Sequence, residues 1–171
     1  MSHPKPTGSG LASASDSALR EQLAQMLEGG HAHATFDHAE RGFPVDRAGT
    51  RPDGLPYSAW ELLEHMRIAQ EDILRFSQSA DHVSPKWPEG YWPASPGPGK
   101  AEDWKDSVHA FREDLKEFQA LIRDPRSDLN RKLPWGDGQT LLREALVLAD
   151  HNAYHVGQLV LLRRLLGTWK E

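Results

Sequence analysis

Apolar side chains return every three or four residues in four stretches of this chain. That interval places them on one face of an α-helix, whereas a β-strand requires strict alternation, which does not occur here over a useful length. Charged residues occupy the other faces, as in helices that pack on a core through one side. The pattern therefore predicts an all-α fold, a four-helix bundle. The predicted helices run from Asp16 to the Gly29-Gly30 pair, from Ser58 to about Ser79, from roughly 101 to 123, and from about Gln139 to Leu166.

The second predicted helix has the clearest beginning. Its first residues, Ser58-Ala-Trp-Glu61, match a capping box, in which the serine oxygen and the glutamate carboxylate each bind a backbone amide that lacks a partner inside the helix. The segment before it, residues 31–56, is rich in Pro and Gly and is expected to be loop. Within that segment, residues 35–41 have the composition of a short extra helix.

Two further segments are predicted to lack regular structure. Residues 1–15 are mostly Ser, Gly and Pro and are expected to form a disordered tail, which leaves 16–171 as the bundle domain. Residues 80–99 contain five prolines, so no regular element is expected there. About 20 extended residues reach about 60 Å, which is enough to recross a bundle from end to end. The second and third helices therefore need not be joined as a hairpin.

The composition limits the chemistry that is available to the chain. Its 171 residues suit one domain that folds without a disulfide or a structural metal, so a bound metal would be free to serve chemistry. There is no cysteine, which excludes disulfides, thiolate zinc sites and a cysteine nucleophile. His, Asp and Glu remain as the candidate metal ligands.

Charge and hydropathy narrow the range of partners. The formal net charge is −5, without the basic excess that binding to nucleic-acid phosphates requires. The longest apolar run, Leu159 to Leu162, is far too short for a membrane span, and the N-terminus does not resemble a signal peptide. We therefore expect a cytoplasmic protein with neither nucleic acid nor a membrane as its partner.

Three histidines form the main candidate site. His151 and His155 are four residues apart on the fourth predicted helix, so their imidazoles lie one turn apart on one face. That face also carries Leu148 and Leu162, which indicates that the pair points into the core. His65 lies on the apolar face of the second predicted helix at a comparable depth. The pattern predicts a metal site of His65, His151 and His155, although hydrogen-bonded core histidines are the alternative interpretation of the same residues.

A ligand set of three neutral imidazoles is an open site. A tetrahedral Zn²⁺ would keep its fourth position for water or substrate, and Ni²⁺ or Fe²⁺ would keep more positions open. Imidazole ligation alone does not choose among these three ions. The bound ion would act as a Lewis acid on a water or a thiol.

Other polar residues are weaker candidates for the surroundings of the metal or for a substrate pocket. Gln158, Tyr154 and Asn152 are close to the histidine pair in sequence, and packing is an equally good explanation for each. The segment HAHATFDH contributes His33 and His38, which would belong to a second metal site, to a lid over the first, or to a solvated loop. The loop tryptophans Trp87, Trp92 and Trp135 are expected to cover a pocket mouth or to cap the core. No residue is assigned as catalytic.

The strings ADHNAYHVGQLVLLRRLLGTW and SAWELLEHMRIAQEDIL resemble the DinB/YfiT-like metalloenzyme superfamily. The strings YWPASPGP and GDGQTLLREAL resemble a bacterial subgroup of that family. In that family a histidine of the second helix joins an HxxxH pair of the fourth, and Gly-Gln follows, which corresponds here to Gly157-Gln158. The resemblance implies an up-down-down-up bundle, one divalent metal near one end and frequent homodimers. A glycine inside a helix is expected where another backbone or a ligand comes close.

Two functions follow as expectations. The first is a metal-dependent transferase or hydrolase that activates a low-molecular-weight thiol or a water for attack on a small electrophilic substrate. The thiol is implied by the resemblance, because the family includes transferases and isomerases that use a low-molecular-weight thiol. The second is a non-catalytic metal-binding helical module in a stress response.

A homodimer is also expected. The resemblance implies it, and the end of the fourth helix is apolar around more of its circumference than a single core face needs. The residues concerned are Leu161, Leu162, Leu165, Leu166 and Trp169.

Overall fold

The structure is a computed structural model that describes residues 8–169, and within this range it contains five α-helices and no strand. The all-helical bundle expected from the sequence is confirmed. None of the described helices combines the length and the apolarity needed to cross a membrane. The helices are α1 (Gly8–Glu28), α2 (Phe36–Glu40), α3 (Ala59–Gln78), α4 (Ala101–Arg123) and α5 (Leu141–Leu165).

The beginning of α1 differs from the sequence prediction. The helix starts at Gly8 rather than near Asp16, so the predicted disordered tail is wrong for residues 8–15, and residues 1–7 lie outside the described range. Adding a residue to an existing helix costs far less than starting one, and Ala12 and Ala14 are good helix formers. Arg20 anchors the existing part, because its buried guanidinium donates to the carbonyl of Ile122 and pairs with Asp16 at 2.6 Å.

Capping residues position the starts of α3 and α5, and the sequence predicts the first of them. Ser58 Oγ accepts from the Glu61 amide, and the Glu61 carboxylate accepts from the Ser58 amide, so the capping box is present. Thr140 caps α5 through the Arg143 amide. These two starting points fix the level at which the site histidines enter the core. The short predicted helix at 35–41 is present as α2, and residues 80–99 contain only one 3-10 turn, Glu89–Tyr91.

Side-chain hydrogen bonds show that α3 and α4 run in the same direction. Gln70 Nε2 donates to the carbonyl of Phe111 at 2.6 Å, and further along both helices Arg75 pairs with Glu117 at 3.1 Å. Two consecutive parallel helices require a connection that returns along the bundle. Residues 79–100 make that return, and we call this segment the crossover.

The α3 and α5 helices run in opposite directions. The rings of His65 and His155 lie 4.6 Å apart, whereas Gln70, later on α3, accepts a hydrogen bond from Asn152, earlier on α5. Gln70 and Asn152 are both buried and form a polar layer between two apolar clusters of the core. The candidate site lies beside this layer.

Candidate metal centre

Side chains from two antiparallel helices converge at the site. His65 comes from α3, and His151 and His155 come from successive turns of α5. One ring nitrogen of each lies within 4.8 Å of the corresponding nitrogens of the other two. His65 and His155 are buried and His151 is half-buried. A single ion can therefore be reached by all three imidazoles.

Hydrogen bonds fix the orientation of two of the rings. Nδ1 of His65 donates to the backbone carbonyl of Tyr91 at 2.9 Å, and Nδ1 of His155 donates to Oε1 of Gln158 at 2.6 Å. A neutral imidazole with its proton on Nδ1 carries a lone pair on Nε2. Both rings therefore keep an unprotonated Nε2 that is available as a ligand, and metal ligands are commonly oriented by such hydrogen bonds.

The third ring shows that the donor set suits a cation. Nε2 of His151 lies 3.1 Å from Nε2 of His65, whose lone pair points toward it. Nδ1 of His151 is buried and has no hydrogen-bond partner. A divalent ion would accept the Nε2 lone pairs of both rings. The three histidines are therefore suitable ligands for a metal ion.

Burial keeps the cluster neutral. Removal from water lowers the pKa of His151 and of His155 to about 4, and the neighbouring imidazoles add to the shift. Burial also lowers the pKa of His65, although the hydrogen bond to the Tyr91 carbonyl opposes the change. Imidazole binds metal only in its neutral form, so at neutral pH no proton has to leave before an ion binds.

The crossover packs directly on the site. The Trp92 ring stacks on His65 with centroids 4.0 Å apart and planes within 2° of parallel. Tyr91 donates its hydroxyl proton to Oδ2 of Asp72 at 2.6 Å, and Oδ1 of Asp72 lies 2.7 Å from Nε2 of His82. Burial and the Asp72 carboxylate raise the pKa of Tyr91 to about 12, so the phenol keeps the proton that it donates. These three contacts hold the crossover against α3.

A cavity of about 720 Å³ opens from the three histidines. It runs between α3 and α5 and is covered in part by the crossover through Trp87 and Tyr91. A metal on the imidazoles would therefore have its remaining coordination positions beside a space large enough for a small organic molecule.

The sequence model of the DinB superfamily matches residues 30–159 of the chain. The chain belongs to the DinB superfamily. Comparison with curated proteins found no match, and neither did comparison with solved structures. The matched region contains all three histidines and the whole crossover, so the family assignment and the site geometry concern the same part of this DinB protein.

Two of the other predicted site residues lie at the cluster. Gln158 holds Nδ1 of His155, and Tyr154 lines the cavity with its ring edge-on to His155 at 4.9 Å. Asn152 does not line this cavity, because its side chain turns toward α3 and donates to Gln70 at 3.0 Å. Its position on the helix, one residue after His151, directs it into the core.

His33 and His38 do not reach the cavity, which corrects the prediction of a lid or pocket role. Residues 31–35 follow the end of α1, where His33 is exposed and Nδ1 lies 2.9 Å from the carbonyl of Ala34. His38 lies on α2, and its ring packs against Trp169 at 5.1 Å. The packing of Phe36 on Phe111 of α4 holds α2 away from the histidine cluster.

Some residues at the site of this DinB protein are not predicted from its sequence. Asp72 had a usable signal, because it follows His65 by seven residues and therefore lies on the same face of α3. Tyr91 had none, since the atom that orients His65 is a backbone carbonyl, which every residue possesses. Of the loop tryptophans, Trp92 covers His65, Trp87 lines the cavity, and Trp135 instead donates to the Phe76 carbonyl.

Proposed function

We propose that this DinB protein is a metal-dependent enzyme, a transferase or hydrolase that acts on a small electrophilic substrate with a thiol cofactor or a water as the nucleophile. The observation that supports the proposal most is the convergence of three neutral imidazoles on the wall of a cavity of about 720 Å³. A purely structural ion needs no such space, since a closed coordination shell serves it better.

The bound ion would supply Lewis acidity, which lowers the pKa of a water or thiol so that a nucleophile exists at neutral pH. The chain itself orients the ligands through the Tyr91 carbonyl and Gln158, and it limits access of bulk water through Trp92. Asp72 is not a free base, because both of its carboxylate oxygens already accept hydrogen bonds. Zn²⁺, Ni²⁺ and Fe²⁺ all suit three imidazoles.

Turnover tests this proposal directly. Protein loaded in turn with each of the three metals is incubated with a panel of low-molecular-weight thiols and small electrophiles, and consumption of each electrophile is measured with and without thiol. We expect metal-dependent consumption that disappears in His151→Gln. Equal rates for loaded protein, metal-free protein and buffer across the panel would contradict an enzymatic role.

The competing function is a non-catalytic module in which the ion fastens α3 to α5. The distribution of the ligands over these two helices supports it, because one ion would cross-link them. In that case metal removal lowers stability or changes partner binding, while no electrophile is turned over by the loaded protein.

A further inference from the structure

The cavity is much larger than the metal site requires. A water occupies about 30 Å³ of liquid, and pockets for organic ligands span about 300–1,000 Å³. The space of about 720 Å³ beside the histidines therefore has room for a whole organic molecule in addition to the group that binds the ion.

The cavity is elongated because two side-chain faces run along it. On α3 the lining residues His65, Ala69, Ile73 and Phe76 follow one another at helical intervals. From His65 to Phe76 the helix rises by about 16 Å at 1.5 Å per residue. The antiparallel α5 supplies the opposite wall in the reverse order, and Arg143 lies two turns from His151 at the far end.

Between its two polar ends the wall is mainly apolar. Ala69, Ile73 and Val147 provide aliphatic surface, and the crossover adds Trp87 and Tyr91. Tyr91 presents its ring there, since its hydroxyl is engaged by Asp72. Of the other polar residues between the ends, Asp72 is buried and both of its carboxylate oxygens already accept hydrogen bonds, whereas Ser84 and Asp150 are exposed at the rim.

The far end is polar but electrically balanced. Arg143 donates to the Glu144 carboxylate at 2.6 Å, and Glu144 is buried. The guanidinium is therefore neutralised within the protein and does not call for an anionic ligand. What distinguishes the cavity is its length and its apolar middle.

We propose that the ligand of this cavity is an elongated molecule with a metal-binding group at one end and an unbranched or aromatic apolar body that extends between α3 and α5 toward Phe76. The inference of a metal-binding group rests on the proposed function, whereas the inference of an apolar body rests only on the residues of the cavity wall. A small hydrophilic substrate would leave most of this wall in contact with water and would gain nothing from it.

Two ligand series test the two parts separately. Linear hydroxamates from acetohydroxamate to octanohydroxamate are titrated by calorimetry into Zn²⁺-loaded protein, and linear alcohols from ethanol to octanol are titrated into metal-free protein. Each added methylene should lower Kd by about two- to fourfold in both series, until the chain reaches Phe76. A Kd that is constant along both series overturns the apolar body, even if zinc binds. Chain-length dependence for the alcohols without any zinc binding would instead overturn the proposed function and leave the apolar body supported.

Neighbouring residues of α5 offer a matched pair of variants. Val147 lines the cavity and Leu146 lies outside it, while the two side chains are similarly exposed, at 38% and 47%. Val147→Asn should weaken octanohydroxamate binding by about three- to tenfold while leaving acetohydroxamate unchanged, because a polar amide replaces apolar wall. Leu146→Asn should change neither. Equal effects of the two substitutions, or an equal loss for the short and long ligands, would contradict a body that lies along this wall.

Discussion

The backbone carbonyl of Tyr91 accepts a hydrogen bond from Nδ1 of His65 at 2.9 Å, so a residue of the crossover orients a candidate metal ligand of α3. The same residue donates its hydroxyl proton to Asp72, which lies about two turns after His65 on the same face of α3. The position of the crossover therefore determines, through Tyr91, the direction in which the Nε2 lone pair of His65 points. Metal affinity should depend on contacts that contain no ligand atom.

Tyr91→Phe tests this link. The substitution keeps the carbonyl and removes only the hydroxyl bond to Asp72, so the crossover should be held less firmly over His65. We expect metal affinity to fall by about tenfold, the lower range for loss of a group that supports a metal ligand. Competition with a chromophoric chelator measures the affinity.

Tyr154→Phe is the matched control, because among the described residues Tyr154 forms no side-chain hydrogen bond and is 64% exposed. It should leave the metal affinity unchanged. Indistinguishable affinities for wild type and Tyr91→Phe would show that the crossover does not support the site.

The buried polar layer gives a prediction about stability. Gln70 accepts from Asn152 at 3.0 Å and donates to the Phe111 carbonyl, all inside the core. Gln70→Met keeps the shape but leaves the Asn152 amide without a partner, which should lower the free energy of unfolding by about 1–3 kcal/mol. Adding Asn152→Leu removes the unpaired amide and should recover part of the loss. Urea unfolding of the wild type, Gln70→Met and the double variant measures both steps, and a double variant no more stable than Gln70→Met would contradict this explanation.

The metal-free protein should lose stability as the pH falls below neutrality. The pKa values of His151 and His155 are about 4 in the folded state, against 6.5 for an exposed histidine. Between these values the unfolded chain binds more protons than the folded chain. The free energy of unfolding therefore decreases as the pH falls from about 6.5 toward 4. Urea unfolding in the presence of chelator, at about pH 7 and about pH 5, measures the loss.

The double variant His151→Gln, His155→Gln removes the two shifted groups and should reduce this pH dependence. His109→Gln, an exposed histidine of α4, is the control and should keep it. An unchanged dependence in the double variant would assign the effect to other groups.

The homodimer stays a prediction, and the structure shows which residues of the predicted apolar patch are exposed. Within the predicted apolar patch, Leu162 is buried and Leu166 packs against the core, whereas Leu161 and Leu165 are half exposed. A Cβ added at Gly157, one turn before Leu161, would meet nothing within 4 Å, so no segment of the described chain approaches this glycine. A second copy packed on this face would explain a glycine inside the helix.

We therefore expect a homodimer through this face of α5. Light scattering at micromolar concentration should give about twice the 19.2 kDa of one chain and a single-chain mass for Leu161→Glu, Leu165→Glu. A wild-type mass near 19.2 kDa at every concentration would contradict the dimer.

The sequence predicts the helices well because their signals are local. The capping box at Ser58 and the alternating three- and four-residue steps from Trp104 to Ile122 depend only on neighbours along the chain, and α3 and α4 occur where these signals place them. The predicted tail is wrong at residues 8–15, because the extension of α1 depends on Arg20, which is far from α4 in sequence but donates a hydrogen bond to its Ile122 carbonyl.

The histidine cluster was predictable for the same reason, because an i,i+4 pair and an inward His65 are periodic features. The crossover was not. Its contacts with His65 involve a backbone carbonyl and a stacked Trp92, and its course depends on how five prolines combine over a long connection. The separation of His33 and His38 from the cavity likewise depends on the docking of α2, which no spacing in the sequence specifies.

The central claim is that His65, His151 and His155 together hold one divalent ion, and elemental analysis of protein purified without a histidine tag tests it most directly. We predict close to one ion per chain in the wild type and in His109→Gln, and almost none in His65→Gln or His151→Gln. A wild type that remains metal-free after incubation with Zn²⁺, Ni²⁺ or Fe²⁺, or His65→Gln and His151→Gln variants that retain the wild-type content, would contradict the account.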